Sequence, residues 1–197
     1  ENWGTYVLTH AINNEAVGHS IDAGVKRIEH GHMASVKNLK RMKEEGIWLS
    51  MQPNMDDEDP PTQNNFQKEK YMSVVHGTDA VYANAKKLGV KIAFGTDTLF
   101  SADLAKRQGA QLSKLQRWFT PNEPLKMATC DNAHLLKLSG KLSPYPLGPL
   151  GVIEEGAYAD LILVDGNPLD SLDLVSDPET NFDVIIKDGV VYKNTLQ

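Results

Sequence analysis

Three side chains stand out by where they fall along the chain. His10 closes the apolar run from Tyr6 to Ala11, His30 closes the run from Lys26 to Gly31, and Asp97 closes the run from Val90 to Asp97. If these runs are parallel strands, all three residues sit at the same end of the sheet, although they are far apart in sequence. Two neutral imidazoles and one carboxylate make a ligand set for Zn²⁺ or another first-row divalent ion, with a position left for water. Each residue also has an ordinary reading. A lone histidine at a strand end is more often a hydrogen-bonded structural residue, and Gly-Thr-Asp after an apolar run can be a turn closed by its own carboxylate. From spacing alone, a metal site and three separate structural roles stand level.

Other polar candidates carry less. His32 follows His30 by two residues and either lines a pocket or caps the next helix. His19, His76 and His134 fall inside expected helices, where surface or packing roles are the simpler reading. Cys130, the single cysteine, is expected to be buried and inert. It excludes an internal disulfide and a cysteine-rich zinc site. The acidic run Asp56–Asp59 lacks the central glycine of a calcium loop and reads as solvated. Trp3, Trp48 and Trp118 are scattered and are expected to pack in cores. No glycine-rich phosphate loop, nucleotide fingerprint or Gly-x-Ser-x-Gly elbow occurs.

The elements that must position the three residues can be read from rhythm. Asn13 or Asn14 offers an N-cap for a helix from Glu15 to Ala23, which Gly24 stops. A second helix is expected from Val36 to Glu45, ended by Gly46. A third strand covers Ile47–Met51, followed by a long loop from Gln52 to Pro61 that would help to shape a pocket. A helix from Phe66 to Leu88 ends at Gly89, and the fourth strand follows. Further helices are expected over Ser101–Phe119 and Asn122–Leu138, the second with Thr120 as N-cap and Pro121 as first helical residue. Repeated strand–helix alternation argues for parallel strands with helices outside. Four βα units are present, where a complete barrel needs eight.

After Leu142 the rhythm changes. Pro144, Pro146, Gly148, Pro149 and Gly151 form a breaker-rich linker. Short apolar runs follow at Gly151–Ile153, Ala159–Asp165 and Val184–Tyr192. Asp188-Gly189 between two β-branched runs is a hairpin signal. This tail is expected to be a small antiparallel module.

Composition narrows the partners. The 197 residues hold 20 Lys+Arg and 26 Asp+Glu, a formal net charge of −6, with 41% hydrophobic residues. A mildly acidic globular chain with no basic block is a poor nucleic-acid binder, and no apolar run is long enough to span a bilayer. The chain begins at Glu1 with no leader-like segment, so it is expected to be processed or a piece of something longer.

With these residues in view, a family resemblance emerges. Val7-Leu-Thr-His10-Ala, Ile28-Glu-His30-Gly and Ala93-Phe-Gly-Thr-Asp97 resemble three signatures of the metal-dependent amidohydrolase superfamily. The segments Thr120–Thr129 with Asn132-Ala, Gly151–Pro168 and Lys187–Tyr192 are similar to its closing helices, its re-entry into a β-sandwich and its final hairpin. The branch most resembled is the imidazolonepropionase-like group, which includes Xaa-Pro dipeptidases.

The resemblance implies an α/β fold. Residues 1–142 would form the C-terminal half of a (β/α)8 TIM barrel, strands 5–8, and residues 143–197 the C-terminal strands of a composite β-sandwich. It implies that His10, His30 and Asp97 bind metal, most simply one or two Zn ions, with Asp97 shuttling protons and His30 either a ligand or a group that polarises substrate. The reaction implied is hydrolysis of an amide-type C–N bond in a dipeptide, N-acyl amino acid or cyclic amide by metal-bound hydroxide. The family's strand 1 His-x-His pair and strand 4 ligand are not found in this sequence. The resemblance therefore implies that an N-terminal half or another chain completes the site, or that the chain self-associates across open strand edges and an uncovered apolar face. The alternative is a non-catalytic remnant or assembly subunit that keeps the fold without a complete metal site.

Overall fold

A computed structural model describes residues 2–55, 64–99 and 102–196, and the acidic run Asp56–Asp59 lies outside the described residues. The chain divides into two compact units. One comprises residues 6–95; the other comprises residues 96–197 together with residues 2–5.

The first unit alternates strand and helix as expected: β1 (Leu8–Ala11), α1 (Asn14–Asp22), β2 (Arg27–His30), α2 (Val36–Glu45), β3 (Trp48–Met51), α3 (Asn65–Leu88) and β4 (Ile92–Phe94). The four strands are parallel and lie side by side in sequence order. Each helix is delimited by local chemistry. Asn13 caps α1 by accepting from the Ala16 N–H, Ser35 caps α2 by accepting from Asn38, and Asn64 caps α3 by accepting from Gln67. Gly46 and Gly89 close α2 and α3 in the left-handed conformation that a residue with a Cβ adopts at a cost.

Strand register sorts the side chains into two faces, because neighbours in a parallel sheet share a face and successive residues alternate. Ile28 stands beside Thr9 and Leu49, and Leu49 beside Ile92. Ile28, Leu49 and Ile92 are buried, in a core that also takes Val17 and Ile21 of α1, Leu39 and Met42 of α2, and Val81, Tyr82 and Ala85 of α3. Full burial of each Ile or Leu is worth about 1.5–3 kcal/mol, so this core holds the sheet's order. Tyr82 also donates to the Met51 carbonyl at 2.7 Å and ties α3 to the end of β3. The opposite face carries His10, Glu29, Ser50 and Ala93 in one row. Arg27, on the same face, pairs with Glu29 and donates to the Ser50 hydroxyl at 3.3 Å. That face is mixed rather than wholly apolar: Leu8, Trp48 and Ala93 share it with the paired Arg27, Glu29 and Ser50.

The second unit departs further from expectation. The helix expected over Ser101–Phe119 is α4 (Ala102–Lys106) and α5 (Gln108–Ser113), which runs into a 3-10 turn at Lys114–Arg117. The break lies at Arg107, and it allows Gly109 to press on the Val175 backbone: a Cβ there would fall 1.8 Å from the Val175 carbonyl oxygen. The helix expected over Asn122–Leu138 is α6 (Asn122–Lys126), a π turn at Met127–Asp131, α7 (Asn132–Leu136) and a 3-10 segment at Lys137–Leu142. Two side chains take carbonyls that an unbroken helix would use, Thr129 Oγ1 from Leu125 at 2.7 Å and Cys130 Sγ from Lys126 at 3.7 Å. Such competition widens a turn. The cap expected at Thr120 is not formed: α6 begins at Asn122 with Pro121 in the cap position and no side-chain cap bond, and the Thr120 N–H and hydroxyl instead both donate to Glu123 Oε2 at 2.8 Å.

The tail forms β5 (Leu161–Val164), a short helix α8 (Pro178–Asn181), β6 (Phe182–Lys187) and β7 (Val190–Asn194), an antiparallel sheet in the order β5-β6-β7. Asp188 (φ 51°) and Gly189 (φ 77°) make the expected two-residue turn of the β6–β7 hairpin. The apolar run Gly151–Ile153 adds no strand to the tail and is a bend: Gly151 (φ 74°) lies so close to Thr129 that a Cβ would fall 2.5 Å from its carbonyl carbon.

Candidate functional site

His10 is exposed in β1, on the face of the sheet that carries Arg27, Glu29 and Ser50. His30 is the last residue of β2 and stands in register beside Ala11. Strict alternation would send it to the buried face with Ile28. Instead His30 has φ 73° and Gly31 has φ 63°, so the chain turns a left-handed corner at the strand end. The His30 ring then lies edge-on to the His10 ring, 4.2 Å between centroids at an interplanar angle of 65°. A left-handed residue with a Cβ costs about 1–2 kcal/mol, and such strain concentrates at working sites. Among the described residues only three non-glycine positions have positive φ: His30, Asp97 and the hairpin residue Asp188.

The orientation of the His30 ring is set by Gln52. His30 Nδ1 lies 2.7 Å from Gln52 Oε1. An amide oxygen only accepts, so with Gln52 Oε1 at this contact Nδ1 is the donor, which in the neutral ring leaves the lone pair on Nε2. His32 stacks 6.1 Å from His30 and is 1% exposed. Its Nε2 donates to the Gln52 carbonyl at 3.1 Å. Burial drives the His32 pKa down to about 4, against the carbonyl bond that raises it, and the neighbouring His30 lowers it further. His32 is therefore neutral near pH 7, and its Nδ1 is buried without a hydrogen-bond partner. Capping of α2, one of the two roles considered for His32, belongs to Ser35.

Asp97 follows the end of β4 by three residues, is exposed, and belongs to the second compact unit. The structure thus brings His10 and His30 together. Among the described residues no group of three or more His, Cys, Asp or Glu side chains is placed to hold a metal. The donor chemistry of the pair nevertheless suits a divalent ion: two imidazoles lie in contact, and one has its lone-pair nitrogen fixed by a partner on the other nitrogen, as metal-binding histidines usually do. Beside His10 lies a depression of about 560 Å³, walled by Ile12, Asn13, Met33, Lys70 and Tyr71.

The remaining candidates are peripheral. His19, His76 and His134 are exposed on helices. Cys130 is half-buried rather than enclosed. Trp48 is buried as expected, but Trp3 is 87% exposed. Gln52 was not singled out from sequence, because a glutamine carries no metal signal. The one clue was its place directly after a strand.

Comparison with known proteins now gives the class. The chain belongs to the amidohydrolase family, whose model matches residues 1–194. It is 29% identical to an ochratoxinase of Aspergillus niger over 178 residues, which is 88% of this chain and 35% of that protein. Among solved structures, an amidohydrolase superposes with a TM-score of 0.86 at 28% identity, covering all of this chain (100%) and 46% of the other. A prolidase complexed with N-methylphosphonate-L-proline gives 0.84 at 26% identity, over 98% of this chain and 46% of the other. A Xaa-Pro dipeptidase with methionine bound in its active site gives 0.75 at 28% identity, over 98% and 46%. The α/β fold is therefore similar to that of the barrel-forming amidohydrolases. The chain spans about a third of the curated relative and about half of each of these structures.

Proposed function

We propose that this chain is part of a metal-dependent hydrolase that cleaves an amide-type C–N bond in a dipeptide, an N-acyl amino acid or a cyclic amide. In this reading β1–β4 are strands 5–8 of a (β/α)8 barrel. Residues 1–142 are the barrel half and residues 143–197 the last strands of a composite β-sandwich. A further segment or chain supplies the rest of the barrel. The observation that carries the reading is the His10–His30 contact with the His30 tautomer held by Gln52. The substrate class is supported by the names of similar proteins, prolidase and Xaa-Pro dipeptidase.

His10 and His30 would hold the ion, most simply zinc, and Asp97 would join them. When bound, such an ion polarises a carbonyl and lets a water lose its proton near neutral pH. Asp97 would take a proton from the attacking water on its carboxylate and deliver it to the leaving nitrogen, the usual work of a general base turned acid. His30, fixed by Gln52, keeps one nitrogen aimed away from its partner as a ligand or as a group that orients the substrate carbonyl. The depression beside His10 takes the part of the substrate next to the scissile bond, and Lys70 gives it a cation for a free carboxylate.

The test is a panel of Xaa-Pro dipeptides and N-acyl amino acids offered to the full-length protein with zinc and after chelation. Hydrolysis that disappears on chelation and in Asp97→Asn, with the circular dichroism spectrum unchanged, is the expected result. Turnover that survives chelation and Asp97→Asn would overturn the reading.

A further inference from the structure

We propose that Gln52 is a positioning residue that sets the tautomer of His30, and that His32 is the buried clamp that holds Gln52 in place. The inference rests on the role given to His30 above.

An imidazole free in water exchanges between two neutral tautomers. Only one of them puts the lone pair on Nε2. The His30 Nδ1–H donates to Gln52 Oε1 at 2.7 Å, so this contact selects that form. A glutamine could undo the selection by turning its amide over and presenting N–H groups instead. Two features oppose this. The Gln52 amide nitrogen faces Gly95, 3.8 Å from where a Cβ at that position would stand. Gln52 itself is buried. Its main-chain carbonyl is held twice, by the Asn54 N–H at 2.9 Å and by His32 Nε2–H at 3.1 Å, which fixes the backbone that carries the side chain.

The clamp is backed in turn. α3 approaches the His32 backbone so closely at Gly77 that a Cβ there would fall 2.1 Å from the His32 carbonyl oxygen. His32 is enclosed and cannot swing out. A line of contacts thus runs from Gly77 of α3 through His32 and Gln52 to the ring of His30. It explains a costly feature, a buried histidine with an unpartnered Nδ1. Burying that atom is tolerated because the other nitrogen is needed to fix the Gln52 main chain. Partners of this kind change metal affinity by about 10–100-fold when removed.

The experiment uses the full-length protein and two readouts. In the metal-free protein at a pH where His30 is neutral, nitrogen–proton correlation spectra of the side chain should show the proton on Nδ1. Gln52→Leu should lose that single form, whereas Gln52→Glu, which keeps an oxygen acceptor, should retain it. Zinc titration should then show affinity weakened about 10–100-fold in Gln52→Leu and restored in Gln52→Glu. A wild-type His30 protonated on Nε2 overturns the inference without any variant, and so does a Gln52→Leu spectrum unchanged from wild type. If wild type binds no zinc but shows the Nδ1 proton and responds to Gln52→Leu, the positioning stands and the hydrolase reading falls.

Discussion

Replacing Gly31 by alanine probes the corner that turns His30 toward His10. Two costs add at that position. The backbone has φ 63°, where a Cβ costs about 1–2 kcal/mol. The new methyl would also stand 2.7 Å from Leu49 Cδ1, and Leu49 is fully buried. Forcing an extra carbon into a packed core costs about 1–3 kcal/mol. The sum is about 2–5 kcal/mol, or roughly 5–20 °C in the melting temperature of a chain this size. Gly24→Ala is the internal control. Gly24 has φ 78° with nothing within 4 Å of its Cβ position, so only the backbone cost of about 1–2 kcal/mol applies. Urea and thermal unfolding followed by circular dichroism measure both variants. In a Leu49→Ala background the extra loss of Gly31→Ala over Gly24→Ala should vanish, because the clashing atom is gone. Equal losses in the two single variants, or an extra loss that persists without Leu49, would refute the reasoning.

Gly77→Ala should be more damaging than its helical setting implies, because its Cβ meets the His32 carbonyl at 2.1 Å rather than a movable side chain. Gly18→Ala in α1 meets only the Asn38 amide at 3.5 Å and should be neutral or stabilising by about 0.5–1 kcal/mol in the same unfolding assay. Asn38→Leu removes bonds of 2.9 Å to the Asn14 carbonyl and side chain, and unfolding should show a loss of about 1–3 kcal/mol. Asp160 is held below the ordinary carboxylate range first by the Asp188 N–H and then by the Lys187 ammonium. Its contribution is complete above the unfolded carboxylate's pKa of about 3.9 and is lost as pH falls through the lower folded value. Hairpin protection from hydrogen exchange in Asp160→Asn should therefore fall short of wild type at neutral pH and converge with it in acid.

The first unit was legible because its signals are local. Asn13, Gly24, Gly46 and Gly89 mark helix ends by their own chemistry, and the apolar runs between them became parallel strands, the first three within two residues of the expected limits and the fourth ending at Phe94, three residues before Asp97. The Asp188-Gly189 hairpin was legible for the same reason. The helices of the second unit were not: they are interrupted at Arg107 and at the π turn Met127–Asp131, and distant segments pack closely beside both. Gly109 against Val175 and Gly151 against Thr129 leave no trace in a window of ten residues. In the candidate site, His10 and His30 could be chosen by residue type and position. Gln52 and the buried role of His32 depend on the corner at His30 and on α3 pressing at Gly77, which only the folded arrangement makes visible.

Zinc binding by the full-length protein, measured by titration with metal quantified in the purified sample, tests the central claim most directly. Wild type should hold one or two ions per chain, and His10→Ala and His30→Ala should each lower the affinity sharply while leaving the circular dichroism spectrum intact. Undiminished zinc binding in both variants would show that the two imidazoles in contact do not form a metal site.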